Sequence, residues 1–259
     1  IDLKGHTVNG RLGIFAYRPA PVQATYLGFP GTSGATYIDY MIGDAWVSPL
    51  SEAPHYTEKL ALMPHCYQPN DRKRPLPKAD SRRAHGLPDD AVVLCGFNQP
   101  FKISPEVFDV WCELLHRIPN SVLWLLNWLG SAEDVLRQEA AKRGIDPRRL
   151  VFAPKVHISE HISRFALADI YLDAWPCNGH TTVSDALWAG VPVVTYAGHS
   201  FAQRVAASLL HNVGLPDLIT HDQEDYMAKV QALASDKPAR DAIRATLHRA
   251  RDEAPLFDS

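Results

Sequence analysis

The sequence predicts an α/β protein whose larger part is a doubly wound parallel sheet. Three observations carry this. From Ala91 onward, short apolar runs rich in β-branched residues alternate with stretches of helical period. Those runs are apolar throughout, the pattern of strands covered on both faces. And Cys177-Asn178-Gly179-His180-Thr181-Thr182 joins a strand-like run, Ala168 to Trp175, to a helix-like one, Val183 to Ala189.

Taken in chain order, residues 1–63 are rich in Gly, Pro and Thr, with β-like runs at Ala24 to Leu27 and Tyr37 to Ile42 around the loop Gly28 to Gly34. They read as the strand and loop layer of a domain without all its helices. Residues 64–90 hold five prolines and the charge runs Asp71-Arg72-Lys73-Arg74 and Ser81-Arg82-Arg83, so they are expected to form a surface linker. The basic run lacks aromatic interleaving and reads as a solvated face. Residues 91–235 form the main α/β unit, with strands expected at Val92 to Phe97, Ser121 to Leu126, Leu150 to Phe152, Ile170 to Asp173 and Val191 to Thr195. Helices are expected at Pro105 to Arg117 and Ala132 to Arg143, and residues 236–259 as a C-terminal helix.

Composition narrows the function classes. A chain of 259 residues, 46% hydrophobic, can bury one large core or two modest ones. With 26 basic and 29 acidic residues the net charge is −3, which gives no electrostatic reason to expect nucleic acid or a membrane surface as partner. Cys66, Cys95, Cys112 and Cys177 show no C-x-x-C spacing and read as reduced thiols of a cytoplasmic protein. No apolar run approaches the roughly 18 residues that span a bilayer. Starting at Ile1 without methionine, the chain is expected to be a piece of something longer.

In doubly wound sheets ligands sit beyond the carboxyl ends of the strands, where Asn98 to Lys102, Ala153 to Lys155 and Pro176 to Thr182 all fall. A helix that starts directly after a small-residue turn offers free backbone N–H groups and roughly +0.5 of dipole charge, and anions bind there. The same residues also fit a plain turn with Thr181 as N-cap. Lys102 and Gln99 leave one strand end and could reach a common phosphate; a solvated lysine at a helix start is the other reading. Asp185, one turn below Thr181 and Thr182, could accept from a ribose diol or simply face solvent. His157, His161 and Arg164 share a helix face able to stack on a flat ring. His157 to His161 also matches the H-x-x-E-H zinc-peptidase pattern, but the α/β setting is wrong for it. P-loop, G-x-G-x-x-G, G-x-S-x-G and D-x-D motifs are absent, so protein groups must neutralise any pyrophosphate leaving group.

The motif C-N-G-H-T-T, combined with N-Q-x-x-K at Asn98 to Lys102, resembles the catalytic region of the protein O-GlcNAc transferases, bacterial members in particular. The resemblance extends over Arg18 to Gln23, Tyr26 to Gly34, Tyr56 to Pro64, Phe97 to Pro105, Pro119 to Leu126, Pro176 to Pro192 and Arg204 to Ser208, nearly the whole chain. It implies a GT-B glycosyltransferase, with a C-terminal Rossmann-like sheet and part of an N-terminal Rossmann-like domain. The implied enzyme moves N-acetylglucosamine from UDP-GlcNAc to Ser/Thr hydroxyls of proteins, inverting the anomeric centre, with no metal and no cofactor. Related O-fucosyltransferases carry a different turn before the Thr-Thr pair.

By the same resemblance Gln99 and Lys102 contact the diphosphate, with Lys102 stabilising the UDP leaving group. His180, Thr181 and Thr182 hold phosphates and sugar, Asp185 the ribose, and His161, Arg164 and the Val156 backbone the uridine. Leu27, Gly28 and Pro30 border the sugar. Ile158 stands where animal members have a lysine that contacts the ribose. The first half of the N-terminal domain and the repeat array that selects protein acceptors are expected before Ile1, so turnover is expected to need them. Competing readings keep the fold with GDP-fucose or UDP-glucose as donor, or a nucleotide-sugar-binding homologue with little transfer.

Overall fold

The computed structural model describes residues 1–127 and 130–258, so Ser259, at the end of the expected C-terminal helix, lies outside the described residues. Two parallel sheets result. The first joins β1 (Ala24–Tyr26), β2 (Tyr40–Asp44) and β3 (Lys59–Met63) in that order, with a loop between β1 and β2, a 3-10 turn (Leu50–His55) between β2 and β3, and no α-helix between the strands. The strand Lys59–Met63 was not expected, and β2 begins three residues after Tyr37.

The second sheet has β4 (Val92–Gly96), β5 (Ser121–Asn127), β6 (Leu150–Pro154), β7 (Ile170–Leu172), β8 (Val193–Tyr196) and β9 (Ile219–Thr220). Its order is β6-β5-β4-β7-β8-β9, the doubly wound arrangement in which chain direction across the sheet reverses between β4 and β7. β8 starts two residues after Val191 because Gly190 ends the preceding helix at φ +84° and Pro192 has no N–H for a ladder.

Seven helices among the described residues cover this sheet: α1 (Pro105–Arg117), α2 (Gly130–Lys142), α3 (Ile158–Phe165), α4 (Thr181–Ala189), α5 (Val205–His211), α6 (Gln223–Ser235) and α7 (Lys237–Glu253). α1 shows why the expected boundaries hold. Ser104 accepts from the Val107 N–H, Pro105 takes the first helical position, and Val107, Phe108, Trp111, Leu114 and Leu115 bury one face. The core is continuous through Leu94, Trp111, Trp124, Tyr171 and Tyr226. Among the described residues no helix is long and apolar enough to cross a membrane.

The segment 64–90 departs from a solvated linker. Tyr67, Gln68, Asn70 and Leu87 are buried. Arg82 pairs with Asp169 at 2.7 Å and donates to the carbonyls of Leu167 and Ala91. Of the basic run, Arg72 and Lys73 are exposed while Arg74 turns inward. The two sheets are tied by Asp44 at the end of β2. Its carboxylate is fully buried and accepts from the N–H groups of Trp46, Val47 and Tyr67 and, at 2.6 Å, from Ser208 Oγ on α5. Trp46 stacks on His211, ring centroids 3.4 Å apart, and Arg204 reaches Glu52 at 3.4 Å.

Asp44→Ala strands four donors at this seam. The expected loss is about 3 kcal/mol or more of unfolding free energy in urea, and a loss under about 1 kcal/mol would show the seam does not depend on it.

Candidate functional site

Reversal of direction between β4 and β7 leaves a crevice at their carboxyl ends, and a cavity of about 410 Å³ occupies it. Five elements or the loops that follow them supply its lining. Phe97, Gln99 and Lys102 follow β4, Leu126 lies on β5, and Lys155 and Val156 follow β6. Ile158, His161 and Arg164 come from α3, and His180, Thr181, Thr182 and Asp185 from the start of α4. Thus Gln99, Lys102, Val156, His161, Arg164, His180, Thr181, Thr182 and Asp185 meet in one cavity. Leu27, Gly28 and Pro30 are not among the lining residues; they sit in the loop after β1, where Gly28 backs onto the Leu3 carbonyl.

The helix start is held from beneath. Asp173 is fully buried and accepts from the Gly179 N–H and from Thr195 Oγ1, both at 2.7 Å. Burial pushes its carboxyl up to about 6, against those two hydrogen bonds and the nearby Lys102 charge. Asn178, also buried, donates to the Ala174 carbonyl. Gly179 is required by close approach, because a Cβ there would stand 2.6 Å from Thr182 Oγ1 and 3.0 Å from Asn98 Oδ1. His180, not Thr181, occupies the N-cap position, and its side chain makes no cap bond. The first N–H groups of α4 are therefore left for whatever enters the cavity.

Lys102 extends to the same loop, its Nζ donating to the Asn178 carbonyl at 2.6 Å. An ammonium has three donors, so this bond aims the charge and leaves donors for an oxygen-rich ligand. Thr182 Oγ1 accepts from Tyr171 and donates to Asn98 Oδ1. His180 is neutral at neutral pH, since burial and Lys102 lower it to about 4; its Nε2 is buried without a partner among the described residues.

α3 supplies the flat wall. His161 stacks on Phe97 with centroids 5.5 Å apart. Arg164 is buried, against the expectation of a side chain free to meet a ring; it donates to His161 Nδ1 at 2.8 Å and to the Pro154 carbonyl at 2.6 Å, over the face of Phe97. Because an arginine can only donate, its bond fixes the His161 tautomer that carries the proton on Nε2. His157 is the exposed N-cap of α3, does not line the cavity, and does not share in a ring-stacking face. Among the described residues no group of three or more His, Cys, Asp or Glu side chains could hold a metal.

Sequence reasoning passed over two residues. Asp173 carried only the signal of an acid at a strand end. Arg74 lay within a charge run, yet pairs with Asp185 at 3.0 Å and lies over Trp188 and Phe257. Burial pushes the Asp185 carboxyl up to about 6, and Arg74 opposes this.

The profile of glycosyl transferase family 41 matches residues 1–81 and 76–259. All of the chain aligns with a probable UDP-N-acetylglucosamine–peptide N-acetylglucosaminyltransferase, SEC, of Arabidopsis thaliana at 45% identity, covering 27% of that protein. The UDP-N-acetylglucosamine–peptide N-acetylglucosaminyltransferase of Caenorhabditis elegans matches at 31% identity over 370 aligned residues, 32% of its length. Among solved structures, a mutant O-GlcNAc transferase of Thermobaculum terrenum superposes with a TM-score of 0.91 at 31% identity, covering 99% of this chain and 49% of that one. The chain thus spans about a quarter to a third of the curated relatives' length.

His161 titrates against folding. Burial and the Arg164 charge lower it to about 4 from 6.5, so the unfolded chain takes up a proton below pH 6.5 that the folded one refuses. Its stabilisation is present above pH 6.5 and lost as pH falls toward 4. His161→Gln keeps an acceptor for Arg164 without the titration. Thermal melts from pH 7 to 4 are expected to fall less steeply for the variant than for the wild type; equal slopes would refute the assignment.

Proposed function

The chain belongs to glycosyl transferase family 41, and on that premise we propose that it takes part in transferring N-acetylglucosamine from UDP-GlcNAc to serine and threonine hydroxyls of proteins. The GT-B type of α/β fold agrees with this membership. One observation carries the reading furthest: Lys102, the uncapped start of α4 and the His161 wall converge on a single cavity where the sheet reverses direction.

In the proposed complex the uracil lies against His161 near the Val156 backbone, and the ribose hydroxyls donate to Asp185. The diphosphate meets Gln99, Lys102, His180, Thr181, Thr182 and the α4 N–H groups. Transfer forms a bond from the acceptor oxygen to the anomeric carbon, the hydroxyl proton leaving to a base or to solvent, and breaks the bond from that carbon to the β-phosphate oxygen, which keeps the electron pair. Charge therefore grows on the leaving diphosphate, and a fixed ammonium together with a helix N-terminus stabilises that state more than the ground state. We propose that these groups do this without a metal, and that attack from the opposite face inverts the centre. Protein acceptors are proposed to engage parts of the longer family members beyond the aligned region, and Leu27, Gly28 and Pro30 to border the sugar.

Calorimetric titration of UDP, UDP-GlcNAc and GDP in EDTA tests this. UDP and UDP-GlcNAc are expected to bind and GDP not, with Lys102→Ala losing about 1.5 kcal/mol or more of binding, the worth of a charged contact. Loss of all binding in EDTA would overturn the metal-free reading, and preference for GDP would overturn the donor.

A further inference from the structure

Arg74 lies in the segment between the two sheets, 111 residues from its partner Asp185. Its guanidinium is gripped on several sides. Nη1 donates to Asp185 Oδ1 at 3.0 Å and to Ser184 Oγ at 3.2 Å, Nη2 to Asn70 Oδ1 at 2.9 Å, and Nε to the Asp71 carbonyl at 3.2 Å. The plane is also covered by Trp188 and Phe257, at 5.5 and 5.9 Å from their ring centroids. Ser184 bonds Asn70 as well, so Ser184, Asp185 and Trp188, about one turn of α4, fasten residues 70–74 to the buried side of the helix.

The ion pair is one-sided. Only Oδ1 of Asp185 is engaged by Arg74, no other donor is hydrogen-bonded to this carboxylate among the described residues, and Asp185 lines the cavity. A carboxylate fixed by one oxygen keeps its second oxygen for a ligand hydroxyl, and the nearby cation favours the ionised, accepting form. We infer that Arg74 is a positioning residue for the ribose of the bound nucleotide, holding Asp185 in the rotamer and charge state that accept the ribose hydroxyls. The inference rests on the nucleotide reading above and extends it to a residue that does not itself line the cavity.

The test compares UDP with its 2′,3′-dideoxy analogue by calorimetry in the full chain, for wild type, Arg74→Met, Asp185→Asn and the double variant. Arg74→Met is expected to weaken UDP about tenfold, the worth of a charge-assisted hydrogen bond, while changing the dideoxy analogue less than about twofold. Asp185→Asn should show the same selectivity, and the double variant should be no weaker than Asp185→Asn alone. Arg74→Lys, which keeps charge without the planar fork, should fall between wild type and Arg74→Met. Should Arg74→Met fail to fold, Arg74→Lys against Asp185→Asn gives the same comparison. Equal losses for both ligands, or none, overturn the inference and leave the nucleotide site standing. Failure of the wild type to bind UDP at all overturns both.

Discussion

The cavity depends on a buried carboxylate that no ligand would touch. Asp173 stands at the end of β7 with no exposure to water, and its two oxygens are used on the Gly179 N–H and the Thr195 hydroxyl. The first bond bends the chain so that α4 begins at the crevice floor; the second ties that bend to β8. Tyr226 adds a hydrogen bond from α6 to the Asp173 carbonyl. Keeping a carboxylate ionised in such a place is unfavourable, as its upward shift to about 6 indicates, and the fold accepts that cost to orient a row of N–H groups.

Around that fixed start, charge is arranged in layers. Lys102 is aimed by a backbone carbonyl, His161 by Arg164, and Asp185 by Arg74. Each of these three side chains is thus oriented by a partner behind it. Such support lowers the ordering cost when a ligand binds, because the rotamers are already chosen. The two imidazoles are held neutral and Asp185 faces Arg74, so the cavity's positive charge comes from Lys102, Lys155, Arg164 and the helix start.

What the sequence made legible follows from the range of the interactions. α1 was readable end to end because its cap, its first-turn proline and its apolar face are all local. The strands of the second sheet were readable because burial on both faces leaves uninterrupted apolar runs. Lys59–Met63 was not, since it carries no β-branched residue, and the two-residue β9 is too short to leave a pattern. The loops that line the cavity were nameable in advance because topology sends those strand ends to one place, while single residues such as Val156 and His180 came only through the family resemblance. Arg74 was not, because a charge run looks solvated until a partner more than a hundred residues away is folded against it. Likewise the helical spacing of His157, His161 and Arg164 said nothing about which of them would be capped or buried.

The seam between the sheets has a bearing on how the chain is made. Asp44 meets Ser208 across 164 residues, and Glu52 meets Arg204 across 152. At the roughly 5–20 residues per second of synthesis, some ten to thirty seconds separate the emergence of β2 from that of the α5 residues that complete its contacts. During that interval the carboxylates of Asp44 and Glu52 lack the α5 hydroxyl and the arginine that they meet in the folded chain. Completion of the seam is therefore timed by translation of the second unit, because neither carboxylate can meet its partner before α5 and the residue leading into it have emerged.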